Sequence, residues 1–125
     1  MQIDSARLFV TDIHAARQFY AGVLDLPLVA DGSGQGFCVF QCGAVQLVLE
    51  TVPPEAPADD QALVGRFTGL SFAVADAAAT CAAWMARGVQ FTGLPERQFW
   101  GGILATFCDP SGNQLQIVQR PAAGS

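Results

Sequence analysis

Lysine is absent from this chain, and histidine occurs once, at His14. The six basic residues are all arginines, scattered among eleven acids, and the net charge is −5. Nucleic-acid and anionic-membrane binding rest on clustered basic side chains, so neither is expected. A single histidine leaves no convincing Ser-His-Asp arrangement. The four cysteines (Cys38, Cys42, Cys81, Cys108) include no CxxC pair, which argues against a structural zinc site and for small buried hydrophobes in a reducing compartment. No apolar run reaches the length of about eighteen residues that would span a membrane. The stretch Gly32-Ser33-Gly34-Gln35-Gly36 lacks the lysine and following helix of a phosphate loop, and reads as a connection. The first four residues lack the basic start and apolar segment of a signal peptide, which points to the cytoplasm. Arginine as the sole fixed basic charge hints at a GC-rich bacterial source.

What is present is apolar. Of 125 residues, 51% are hydrophobic and only 14% charged, which suits one domain or two small halves with ample core. The clearest local signal is Asp109-Pro110-Ser111-Gly112-Asn113. Asp, Pro and Gly at those positions are what a type I turn requires, and strand-like residues flank them, so a β-hairpin is expected. In its second arm Leu115 and Ile117 share one face, and Gln114 and Gln116 the other.

From the start of the chain, residues 3–10 read as a strand with Ala6, Leu8 and Val10 on one face and Ser5, Arg7 and Phe9 on the other. Asp12 caps a helix whose stripe runs through Ile13, Ala16, Phe19/Tyr20 and Val23/Leu24. Residues 31–36 read as a loop, and 37–40 and 44–50 as two strands. In the second of these Val45, Leu47 and Leu49 alternate with Gln46, Val48 and Glu50. Prolines and acids make 51–66 a linker. The pattern then restarts, with a strand at 70–74, a helix capped by Asp76 and ended by Gly88, a short strand at 89–92, a loop over 93–102 and the hairpin. Leu8-Phe9-Val10-Thr11-Asp12 matches Phe72-Ala73-Val74-Ala75-Asp76, Tyr20 and Trp84 lie equally far beyond their caps, and Gln46 corresponds to Gln116. An internal repeat sets the architecture. The expected boundaries are a first module at 1–50, the linker 51–66, a second module at 67–120 and a short tail at 121–125, within one domain.

Two βαβββ modules, an Asp before each helix, Phe19-Tyr20 in the first helix and Asp109-Pro110-Ser111-Gly112-Asn113 before the last strand resemble the vicinal oxygen chelate superfamily. That group includes glyoxalase I, bleomycin-binding proteins, fosfomycin-modifying enzymes and extradiol dioxygenases. The resemblance implies an α+β fold, with two βαβββ modules forming a curled mixed β-sheet cup and helices outside. It also implies a divalent metal held by His, Glu or Gln at four strand positions, which fall here on Ser5, Gln46, Gly69 and Gln116. Gly69 has no donor, Ser5 is a poor one, and two neutral amides suit a divalent cation badly. No metal or other cofactor is therefore expected.

The expected function is metal-free binding of a partly aromatic, possibly anionic small molecule, as the similar bleomycin-type resistance proteins sequester their ligands. Ser5, Arg7, Gln46 and Gln116 would be the polar handles and Phe9 and Trp100 the apolar walls. Arg7 could grip a carboxylate bidentately, or be paired internally with Glu50. Gln46 and Gln116 could bond each other across the modules. A homodimer is expected from similar proteins of this size. The alternative is a divalent-metal-dependent glyoxalase-like lyase or dioxygenase-type enzyme, with Gln46, Glu50 and Gln116 as fallback ligands.

Overall fold

The computed structural model describes residues 1–122, which form two compact units. The first comprises Met1–Arg66 together with Pro110–Asn113. The second comprises Phe67–Asp109 and the strand that begins at Gln114. Residues 123–125, most of the expected tail, lie outside the described residues.

In the first unit β1 (Ser5–Val10) is followed by α1 (Ile13–Arg17), which continues as a π-helical turn over Gln18–Val23. Then come β2 (Leu28–Gly32), a 3-10 turn at Ser33–Gln35, β3 (Phe37–Cys42) and β4 (Val45–Thr51). The sheet order is β1-β4-β3-β2, with β1 parallel to β4 and the other neighbours antiparallel. Asp12 caps α1 as expected, its carboxylate accepting from the N–H groups of His14 and Ala15. The stripe below it, Ile13, Ala16, Phe19, Tyr20 and Leu24, is buried with Leu8, Val10, Phe40, Leu47 and Leu49. Tyr20 sits edge-on to Phe19 and tilted against Phe40, with ring centroids 5.1 and 6.0 Å apart.

Sequence pattern misread one strand here. Residues 31–36 are not wholly loop: β2 runs through Asp31 and Gly32 and pairs with β3. It is an exposed edge strand with a register shift near Val29, so no apolar alternation betrays it. The linker carries α2, a single turn at Ala58–Gln61. The Gln61 side-chain amide fastens that turn by donating to the carbonyls of Pro53 and Pro54, both at 2.8 Å.

The second unit repeats the plan with β5 (Phe67–Ala73), α3 (Ala77–Ala86), β6 (Gln90–Arg97), β7 (Ile103–Cys108) and β8 (Gln114–Gln119). Its sheet order is β5-β8-β7-β6, again with one parallel pair, β5 and β8. The expected α+β class and paired βαβββ modules are thus the observed ones. Asp76 caps α3 by accepting from Ala79, and Gly88 ends it at φ 93°. Fully buried Phe107 is the hub of this core, with Trp84, Phe91 and Phe72 around it at centroid distances of 5.2, 5.8 and 6.3 Å.

Strand β6 is twice as long as the sequence suggested. It carries on through Gly93 and Pro95, and only residues 98–102 form the turn. Both residues signal a break, but register irregularities between Phe91, Gly93 and Glu96 absorb them without ending the strand.

Candidate functional site

In the first unit, pleat alternation leaves Ser5, Arg7 and Phe9 on the sheet face away from the buried Leu8 and Val10. The parallel register sets Ser5 beside Gln46, Arg7 beside Val48 and Phe9 beside Glu50. Four expected site residues, Ser5, Arg7, Phe9 and Gln46, therefore share one face of one sheet, with Glu50 among them.

Arg7 has taken the internal partner. Its Nε donates to Glu50 Oε1 at 2.9 Å and its Nη2 to Oε2 at 2.6 Å, a bidentate fork. The guanidinium also lies 5.3 Å from the centre of the Phe9 ring, within cation–π range. Hydrogen bonding and charge from Glu50 raise the guanidinium pKa further. The two side chains remain 59% and 33% exposed, so the pair fixes orientation more than it adds stability. A ligand carboxylate would have to displace Glu50 to use this fork.

A cavity of about 340 Å³ opens where Arg7, Phe9 and Glu50 meet Pro53, Asp60 and Leu63 of the linker. Its walls are mixed: one aromatic ring, aliphatic linker groups, one ion pair and one further carboxylate. The turn Pro110–Asn113 braces the same unit. The Asn113 side chain, 1% exposed, donates from Nδ2 to the Phe9 carbonyl and accepts at Oδ1 from the Gly65 N–H, each at 2.8 Å. Ser111 Oγ accepts from the Thr11 N–H at 3.0 Å. The turn motif is a clasp holding the end of β1 to the end of the linker. Sequence reasoning gave Asn113 no role beyond its turn and passed over Asp60 and Leu63, which carry no motif.

Each of the two glutamines has a partner in its own unit. Gln46 Nε2 donates to Gln41 Oε1 at 3.4 Å, and Gln116 Nε2 to Thr106 Oγ1 at 3.2 Å, each within its own sheet. Gly69 lies at a bulge with φ 75°, and the register shift there sets Ser71, not Gly69, opposite Gln116. Ser71 and Gln116 thus reproduce the pairing of Ser5 and Gln46. The four positions that would hold a metal supply neutral amides, hydroxyls or nothing, and Glu50 is engaged by Arg7. Among the described residues no three His, Cys, Asp or Glu side chains gather in one place. This donor set does not fit a divalent cation.

Trp100 belongs to the β6–β7 turn of the second unit, 38% exposed. Its indole crosses Gly102 so closely that a Cβ there would run into Cζ3 of the ring. His14 is exposed on α1. Cys38 and Cys81 are buried, Cys42 and Cys108 half-buried, all four are free thiols, and burial pushes each thiol pKa up.

The sequence profile of the glyoxalase/bleomycin resistance protein/dioxygenase superfamily matches residues 2–117. Among solved structures, a member of that superfamily from Sphaerobacter thermophilus is 28% identical with a TM-score of 0.77, covering 96% of this chain and 98% of the other. TnmS3, an antibiotic binding protein from Streptomyces sp. CB03234, is also 28% identical at TM-score 0.77, with 98% and 97% covered. A glyoxalase/bleomycin resistance protein from the same Streptomyces is 27% identical at TM-score 0.70, with 93% and 98% covered. No curated protein matches the sequence. Module topology, capping pattern and profile agree: the chain belongs to the glyoxalase/bleomycin resistance protein/dioxygenase superfamily.

Proposed function

We propose that this chain binds and sequesters a small, partly aromatic molecule without the help of a metal ion. The observation that carries the reading is the cavity of about 340 Å³ in which Phe9 and the Arg7–Glu50 pair face Pro53 and Leu63. Apolar walls with a few fixed polar groups are the usual composition of a small-molecule site. A planar ring would lie against Phe9 and the guanidinium plane, and Ser5 and Gln46 on the same face would take its polar edge. With Glu50 and Asp60 outnumbering Arg7, this cavity suits a ligand that is neutral or carries a polar cationic group better than an anion. The likeness to an antibiotic binding protein at 28% identity over nearly the whole of both chains supports the same class of function. The neutral donors at Ser5, Gln46 and Gln116 favour this reading over a metal-dependent lyase or dioxygenase.

A thermal-shift screen of aromatic antibiotics against chelator-treated protein is the test. Hits should lose at least about tenfold in affinity in Phe9→Ala, which removes one stacking face. A full screen without hits, or hits indifferent to Phe9→Ala, would overturn the proposal. The reading includes a cytoplasmic homodimer, supported by the 51% hydrophobic composition. A stable monomer at micromolar concentration by light scattering would remove the dimer from it.

A further inference from the structure

The second unit holds a different pocket, of about 330 Å³, at one end of its sheet. Direct register sets Arg97 of β6 beside Ile103 of β7, and Ile103 beside Gln119 of β8, so the three form one row across the sheet. That row belongs to the face of Ala105, Phe107 and Ile117, the side that receives α3, and not to the face of Gln116 and Thr106. Gln119 confirms the side, since its Oε1 accepts from the Ala77 N–H at the start of α3 at 2.9 Å. Trp100 and Arg120 complete the lining.

Charge makes this pocket unusual in an acidic protein. Two of the six arginines line it and, among the described residues, no acid does. Arg7 and Arg17 are bridged to Glu50 and Asp31. Among the described residues neither Arg97 nor Arg120 is paired with a carboxylate. Two unneutralised guanidinium groups beside an indole are the chemistry that recognises a flat anion: the forks take the carboxylate oxygens and the ring takes the apolar plane. Trp100 is set for this, because glycine at 102 lets the indole lie against the backbone. The turn behind it is closed by hydrogen bonds from Gly101 to Gln98 at 2.9 Å and from Gln98 to Gly102 at 2.8 Å. From this juxtaposition we propose that Arg97, Arg120 and Trp100 form a binding site for a planar aromatic carboxylate, separate from the Arg7–Phe9 cavity.

Titration calorimetry with 2-naphthoate on the full chain tests it, with amide chemical shifts recorded alongside. Saturable binding is expected, with shift changes centred on residues 97–103 and 119–122. The double variant R97A/R120A should weaken binding at least about tenfold, a loss of 1.4 kcal/mol or more. The uncharged 2-naphthamide should weaken by a similar factor against the unaltered protein. Both arginines are exposed, so the variant should keep its thermal midpoint, and Trp100→Ala provides a second, independent loss. Absence of saturable binding, equal affinity for acid and amide, or shifts centred on Phe9 and Glu50 would each overturn the proposal.

Discussion

Replacing Asn113 by alanine should destabilise the protein far more than its place in a turn suggests. The side chain is 1% exposed and bonds two backbone groups distant in sequence, the Phe9 carbonyl and the Gly65 N–H. Each hydrogen bond is worth about 1 kcal/mol net, and each buried backbone group left unpaired costs about 1–3 kcal/mol. Allowing for water entering the gap, the loss should be about 2–4 kcal/mol. With urea slopes of about 1–3 kcal/mol/M, the midpoint should fall by more than about 1 M at unchanged slope. Ser111→Ala is the control. It removes two solvent-exposed bonds, to the N–H and to Oγ1 of Thr11, so its cost should stay below about 1 kcal/mol. Asn113→Asp keeps an acceptor for Gly65 but turns a buried carboxylate toward the Phe9 carbonyl. Burial would raise that carboxyl's pKa, and the protonated form can donate again. Its penalty should therefore shrink as pH falls, the reverse of ordinary acid destabilisation. If Asn113→Ala costs no more than Ser111→Ala, the clasp is decorative and the argument fails.

Gly102→Ala should displace the indole of Trp100, because the new Cβ would run into Cζ3 of the ring; tryptophan emission should shift to the red with little change in midpoint, and unchanged emission would refute the contact. Gln119→Ala removes the acceptor for the first N–H of α3 and should cost about 1 kcal/mol in urea unfolding. Asp31 accepts from Ser33 and from Arg17, and these bonds hold its carboxylate well below the usual range. Its contribution should be complete above about pH 4 and fade as pH falls below that; Asp31→Asn should unfold with a shallower acid limb. Buried Cys38 and Cys81, with thiol pKa values pushed up, should react with a disulfide reagent at pH 8 only at the rate of unfolding.

The fold was legible because several levels of the sequence agree. Asp12 and Asp76 start helices, Gly88 stops one, and Leu8–Val10 and Leu47–Leu49 alternate cleanly. Strand β2 hid because an edge strand buries neither face, and β6 because Gly93 and Pro95 look like a loop when bulges accommodate them. At the site, alternation alone placed Ser5, Arg7, Phe9 and Gln46 on one face. What alternation cannot supply is long-range partners. Arg7 could reach a ligand or Glu50, and only the register β1 to β4 decided for Glu50. The repeat sets Gly69 in the place of Ser5; the bulge in β5 moves that place to Ser71. Arg97 and Arg120 lie far apart in sequence and carry no motif, so their meeting beside Trp100 is visible only in the fold.

The most direct test of metal-free binding is the thermal midpoint of chelator-treated protein with Mg, Mn, Fe, Co, Ni and Zn salts in turn. A metal at a hundred times its dissociation constant would add about 2.7 kcal/mol, several degrees in a chain of this size. The expected result is an unchanged midpoint with every metal, while aromatic ligands raise it in the continued presence of chelator. A clear rise with any one metal, abolished by Glu50→Ala or Gln116→Ala, would contradict the reading and make the metal-dependent enzyme the better account.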